Sequence, residues 1–162
     1  MYYLRQHFYL GHLRRLYLAL YESVLQYGVL CWGQEPECHL GQIRILQKRA
    51  IRNIVGIKAG ETTVPWFERL GLKTFQQIYH TVAILYVAKN RFKFPTNMRR
   101  RLGLRSGSGL VVVPDWWKYH SRIQAAYAGA MAFNALPETM RVTSSLYRRR
   151  RDLTGYVMGH VE

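Results

Sequence analysis

Apolar residues recur along this chain at the three- and four-residue steps of an α-helix, and that periodicity limits the fold more than any other feature. From Leu10 the positions Leu10, Leu13, Tyr17, Leu20, Val24, Tyr27 and Cys31 lay one stripe along a helix of about twenty residues. Gly28 and Gly33 weaken its far end, and Gln34-Glu35-Pro36-Glu37 reads as a loop. A second helix is predicted from about His39 to Val55, with Leu40, Ile43, Leu46, Ala50 and Ile54 inward and Gly56 as its C-terminal cap. Thr63-Val64-Pro65 opens a short helical turn, Trp66 to Leu70, which Gly71 closes. Thr74 and Gln77 form a capping box ahead of a third long helix, Phe75 to about Asn90, whose inward positions are Phe75, Ile78, Tyr79, Val82, Leu85 and Tyr86. His80 in that helix reads as a half-buried packing residue. A fourth helix, about Tyr119 to Leu136, places Ile123, Tyr127, Ala130 and Phe133 on one face. A final short helix includes Arg148 to Arg151, and the TGYVMGHVE end reads as frayed. Leu110 to Val113 offers one short strand or a segment docked on the helices. The predicted class is therefore mostly α: a bundle of four to five helices with an irregular basic linker.

The organisation expected from these patterns is a helical domain over 1–92, a basic Gly/Arg linker over 93–118 and a C-terminal helical tail over 119–162. With 162 residues, 49% of them apolar, the chain can bury a real core. Two cysteines are too few for a disulfide-stapled module. No stretch reaches the ~18 uncharged apolar residues of a membrane span. The first residues carry Arg5, Arg14 and Arg15 with no acid before Glu22, the charge habit of a transit peptide, but they lack early serine and an unbroken apolar run. A secreted or transmembrane placement is not expected.

Charge narrows the partners. Lys and Arg number 24 against 9 acidic residues, a formal +15, and between Glu68 and Asp115 there is no carboxylate. Such a field attracts polyanions, chiefly nucleic acid. Arg44, Lys48 and Arg52 recur every four residues on the second helix, with Arg49 beside them, so that a basic ridge backs the apolar stripe. Arg99, Arg100, Arg101 and Arg105 add a second basic cluster in the linker. These eight residues are the candidate nucleic-acid contacts. The alternative for the ridge is an ordinary solvated helix face.

Signals for chemistry are sparse. Two-metal nucleotidyl transfer needs clustered carboxylates, whereas Asp115 and Asp152 are the only aspartates and stand far apart. The chain has no phosphate loop ending in Lys-Ser or Lys-Thr and no H-E-x-x-H. Cys31, Cys38 and His39 lack the close C-x2–4-C spacing of a zinc knuckle, which leaves a buried thiol at Cys31 and a loop thiol at Cys38. No Ser, Cys or His lies in the context of an activated nucleophile. Neither a catalytic nor a metal-ligating residue is assigned.

Several blocks resemble a known family. Leu16-Tyr17, Leu20, Ser23, Leu25, Tyr27-Gly28 and Trp32-Gly33 make L-Y-x-x-L-x-x-S-x-L-x-Y-G-x-x-x-W-G. Leu46-Gln47-Lys48-Arg49-Ala50-Ile51-Arg52, Gly56, Pro65-Trp66-Phe67 with Leu70 and Leu72, and Phe133-Asn134-Ala135-Leu136-Pro137 follow in order. Together they resemble the region after the catalytic core in reverse transcriptases of non-LTR (LINE-type, jockey-like) retrotransposons, over roughly residues 10–150. The resemblance implies a helical thumb and tail that grip a template–primer duplex. It places the catalytic aspartates, and the Mg²⁺ they hold, in a palm segment that this sequence does not include, so no cofactor is expected here. It also implies that Tyr27, Trp32 and Leu46 pack inward while Lys48, Arg49 and Arg52 meet a nucleic-acid backbone.

The expected function is thus that of a C-terminal piece of an RNA-directed DNA polymerase, a basic nucleic-acid-binding module without catalytic carboxylates of its own. Expected partners are RNA and DNA–RNA or DNA duplex, together with a reverse transcriptase palm domain. The resemblance implies a nuclear or cytoplasmic ribonucleoprotein setting, with Arg148 to Arg151 as a weak nuclear signal. The alternatives are a helical protein–protein interaction module, in which Trp116-Trp117 anchors a partner, an enzyme whose site the sequence hides, or a non-functional remnant of a mobile element.

Overall fold

The computed structural model describes residues 3–94, 110–113, 122–142 and 145–160. The chain is mostly α-helical, and no strand occurs among the described residues. No helix among them is long and apolar enough to cross a membrane. The helices are α1 (Leu10–Tyr17), α2 (Ser23–Gln26), α3 (Val29–Trp32), α4 (Glu37–Val55), α5 (Val64–Leu70), α6 (Phe75–Lys89), α7 (Arg122–Ala135), α8 (Glu138–Val142) and α9 (Leu146–His160). Contacts divide the chain into two compact units, Met1–Ile78 and Tyr79–Glu162, and the division falls inside α6.

In the first unit, the stripe predicted for the opening helix holds only as far as Tyr17. Leu13 and Tyr17 are buried, but the next buried positions are Glu22, Leu25 and Val29. The step from Tyr17 to Glu22 is five residues because Leu18–Glu22 forms a π turn between α1 and α2. One extra residue in the ladder rotates everything after it by about 100°. Leu20, Val24 and Tyr27, expected inward, are consequently 64%, 67% and 86% exposed, and Cys31 is exposed with them. The inward rotation of Glu22 is supported by Gln26, whose Nε2 donates to Glu22 Oε1 at 2.9 Å, and by Lys73 Nζ at 3.6 Å. Gly28, at φ +68°, then ends α2 in the left-handed conformation that glycine adopts most readily.

α4 ends at Gly56, as its cap signal requires, and starts at Glu37, two residues ahead of the expected His39, so Cys38 lies in the helix and not in a loop. Its buried positions are Leu40, Gln47, Ile51 and Ile54, whereas Leu46, expected inward, is 53% exposed. Gln47 takes the inward place. Its Nε2 donates to the Tyr17 hydroxyl and to the Lys73 carbonyl, both at 2.9 Å, and its Oε1 accepts the Phe75 N–H at 3.0 Å. That N–H belongs to the first turn of α6, where no intrahelical acceptor exists. The Thr74–Gln77 capping box satisfies two more donors there: Thr74 N–H donates to Gln77 Oε1 at 3.0 Å and Gln77 N–H to Thr74 Oγ1 at 3.3 Å. Leu13, Tyr17, Ile51, Ile54, Phe67, Leu70 and Leu72 form the core around this node. Trp32, half-buried, stacks on Phe75 with ring centroids 5.5 Å apart.

The second unit is built on Ile84, Val87, Ala88, Phe94, Val111, Ala130, Phe133, Leu136, Leu153 and Val157. Along α6, Ala83, Ile84, Val87 and Ala88 are buried, while the expected Val82, Leu85 and Tyr86 are half-buried. A helix apolar on nearly every side gives no single stripe from which to choose. α7 approaches α6 closely at Gly129, where an added Cβ would stand 2.9 Å from the Ala83 carbonyl oxygen. Leu110–Val113 forms no regular element. Val111 is instead clamped by Asn134, which accepts its N–H at 2.9 Å and donates to its carbonyl at 2.8 Å. The end predicted to fray is helical as far as His160, because Leu153 and Val157, one turn apart, are both fully buried.

Replacing Gln47 by Leu removes the buried partner of the Tyr17 hydroxyl and the Phe75 N–H and the part-buried partner of the Lys73 carbonyl, and is expected to cost about 2–4 kcal/mol. Leu46→Ala should change stability by about 0.5 kcal/mol or less. Urea unfolding followed by circular dichroism compares the two, and a larger loss at Leu46 than at Gln47 would contradict the assigned rotation of α4.

Candidate nucleic-acid interface

Around α4, at 100° per residue, Arg44, Lys48, Arg52 and Arg49 stand about 60°, 100°, 140° and 200° from Gln47, so the predicted ridge runs from the flank of the buried face to the outer surface of the helix. Lys48 and Arg49 are exposed, and Arg44 and Arg52 are half-exposed at the flanks. At 1.5 Å per residue the ridge runs about 12 Å from Arg44 to Arg52. That length is enough to span more than one phosphate spacing along a single strand of a duplex.

Different interactions modify the ridge at its two ends. Glu37, in the first turn of α4, pairs with Arg44 through Nη1 and Oε1 at 2.6 Å. Glu37 is largely exposed and Arg44 about a third exposed, so an interaction of this kind contributes only about 0.2–1 kcal/mol and holds Arg44 weakly. Arg52 is held differently: its Nε and Nη2 donate to the Glu61 backbone carbonyl at 3.3 and 3.0 Å. The Glu61 carboxylate is occupied locally, accepting the Lys58 N–H at 2.9 Å. At the C-terminal end of α4, Gly56 at φ +88° donates to the Arg52 carbonyl at 2.7 Å. The Arg5 guanidinium lies against Gly56, in the space a Cβ there would occupy. Of the four ridge residues, Lys48 and Arg49 thus offer the most accessible charges, and the N-terminal segment adds Arg5 to the same helix end.

Arg99, Arg100, Arg101 and Arg105 lie outside the described residues, as do Trp116 and Trp117. The Arg148–Arg151 run is described, and its members differ. Arg148, Arg150 and Arg151 are exposed, whereas Arg149 is 3% exposed. Arg149 donates from Nε to the Met140 carbonyl at 3.3 Å and from Nη2 to the Arg141 carbonyl at 3.2 Å, capping the end of α8. Its guanidinium carbon stands 5.7 Å from the centre of the Phe133 ring, and that of Arg91 stands 5.5 Å from it. A four-arginine run gives no sign of which member turns inward. The signal lay in its spacing to Leu153 and Val157, which follow Arg149 at four and eight residues on one helical face.

The displaced pKa values belong to packed groups away from the ridge. Burial raises the hydroxyl of Tyr17, opposed by the Gln47 hydrogen bond, raises Tyr21 as well, and pushes Tyr79 up to about 12. Burial lowers His80 from the ordinary value of 6.5, and burial reinforced by the Arg91 charge lowers Arg149. Cys31 and Cys38 are both free and exposed, and among the described residues no three His, Cys, Asp or Glu side chains gather in a way that could hold a metal ion.

For His80, the folded state disfavours the proton that the unfolded chain accepts below about pH 6.5. Its contribution is harmless above that pH, and stability is lost as the pH falls through the folded-state value. His80→Gln should therefore flatten the dependence of unfolding free energy on pH below 6.5, measured by urea titration. Parallel profiles for the two proteins would show that His80 does not carry the effect.

Comparison with known proteins adds no relative: no protein-family model, no curated protein and no solved structure matches this chain.

Proposed function

We propose that this chain is a helical module that binds nucleic acid through the phosphate backbone, using Arg44, Lys48, Arg49 and Arg52 of α4, with Arg99, Arg100, Arg101 and Arg105 as further contacts. The observation that carries the reading is the outward presentation of Lys48 and Arg49 on a helix whose rotation the buried Gln47 amide fixes. Cations on a rigid helix lose less freedom on binding than cations on a loose loop. The overall charge of +15 supports the same partner by long-range attraction. Within this reading the chain is the thumb and tail portion of a non-LTR retrotransposon reverse transcriptase. It grips RNA, DNA–RNA or DNA duplex beside a palm domain that supplies the carboxylates and Mg²⁺, and it performs no nucleotidyl transfer itself.

A second reading, a protein–protein interaction module, is favoured by Ile45 and Leu46, which are 52% and 53% exposed beside the cations of the ridge. Apolar anchors within a charged rim suit a protein partner.

Filter binding of a labelled RNA duplex across a salt series tests the proposal. The wild-type chain should show log affinity falling steeply with log salt, and the Arg44→Gln, Lys48→Gln, Arg49→Gln, Arg52→Gln quadruple variant should bind all sequences about equally more weakly. Its slope should be shallower by about two to four. An unchanged slope and affinity in that variant would reduce the ridge to a solvated face, and a tight protein partner lost on Ile45→Ser, Leu46→Ser would favour the second reading.

A further inference from the structure

The second unit displays one phenylalanine outward on a fastened turn. Phe92 is 82% exposed at the centre of the short 3-10 turn Arg91–Lys93 that follows α6. A lone exposed apolar side chain is ordinary, but the residues around this one are tied down. Before it, Asn90 donates from Nδ2 to the Tyr86 carbonyl at 2.9 Å, and Arg91 donates to the Arg141 carbonyl at 3.3 Å with its guanidinium over Phe133. After it, Phe94 is 6% exposed and meets Tyr86 edge to face with centroids 6.2 Å apart. The turn is closed by Lys93 N–H on the Asn90 carbonyl at 2.8 Å and Phe94 N–H on the Arg91 carbonyl at 3.1 Å. Phe92 is thus held out by anchors on both sides. Two exposed cations accompany it: Lys93, whose Nζ is 5.5 Å from the ring centre, and Lys89 in the last turn of α6.

An outward aromatic ring on a fastened turn, with the Lys93 ammonium over one face and Lys89 one helical turn earlier in the chain, matches an unpaired nucleotide: the base stacks on the other face and the adjoining phosphates meet the lysines. We infer that Phe92, with Lys89 and Lys93, forms a stacking platform for single-stranded nucleic acid, distinct in residues and chemistry from the phosphate-contacting ridge of α4. The inference rests on the nucleic-acid reading above and adds the class of strand bound. A paired base within a duplex offers no free face to such a ring, so the platform discriminates single strands from duplex.

The test compares a fluorescein-labelled oligo(U) with a long, loop-free RNA duplex annealed from two complementary strands, each bound by the full chain in anisotropy titrations. Phe92→Ala removes a solvent-exposed side chain and should leave the thermal midpoint close to wild type. It should weaken oligo(U) by about five- to a hundredfold while changing duplex affinity less than about twofold. Phe92→Tyr should retain most of the oligo(U) affinity, and Phe92→Trp should add fluorescence that oligo(U) quenches. Equal weakening of both probes, or of neither, would overturn the platform and leave the phosphate-binding reading standing. So would a wild-type chain that binds the duplex but not oligo(U). A wild-type chain that binds neither probe in dilute buffer would remove both.

Discussion

The carboxamide of Gln47 fixes how α4 is rotated about its own axis. Its donor and acceptor sides engage Tyr17, Lys73 and Phe75, three partners in three segments, and a turn of α4 by one residue would break all of these bonds. Buried polar groups are costly when unpaired, so a fully satisfied one selects a single arrangement more sharply than interchangeable aliphatic contacts do. The consequence reaches the surface. With Gln47 inward, Lys48 and Arg49 are exposed on the helix, and the proposed interface inherits its rigidity from the core beneath it. In the second unit Asn134 plays a comparable part for Val111, and Arg149 for the end of α8.

Helix ends were legible because their chemistry is local. Gly56 and Gly71 stop α4 and α5 with positive φ, Pro65 opens α5, and the Thr74–Gln77 box starts α6. Helix faces were less legible because a face depends on register over many residues. The opening stripe follows a period that the π turn at Leu18–Glu22 interrupts, and no residue type marks such a turn in advance. Everything beyond it shifts by one position, so Glu22 is buried while Leu20, Val24 and Tyr27 are not. On α4 the error is similar in kind: hydropathy ranks Leu46 above Gln47, but the buried site contains a hydroxyl, a carbonyl and an amide that only a side chain such as Gln can satisfy. Tyr27 and Leu46, which the family resemblance implies as packing residues, are therefore surface residues here, whereas Trp32 does pack on Phe75.

The candidate site was legible as charge but not as accessibility. Spacing placed Arg44, Lys48, Arg49 and Arg52 together on α4, and nothing in the spacing revealed that Glu37 pairs with Arg44 or that the Glu61 backbone holds Arg52. Conversely, the Arg148–Arg151 run, read as part of a final helix and a weak nuclear signal, does not by its composition mark Arg149, which burial and two backbone acceptors make a structural residue. Pairing across seven to nine residues decides which of these cations remain available, and helix packing settles it.

On the function proposed above, α4 meets a polyanion with the side that carries Lys48 and Arg49. Lysine acetylation read by mass spectrometry, with and without a saturating RNA duplex, examines that contact in the intact chain. The duplex should slow modification of Lys48 severalfold while leaving Lys73, which pairs with Glu22, at its unbound rate. Equal modification of Lys48 in the free and duplex-bound protein would contradict it.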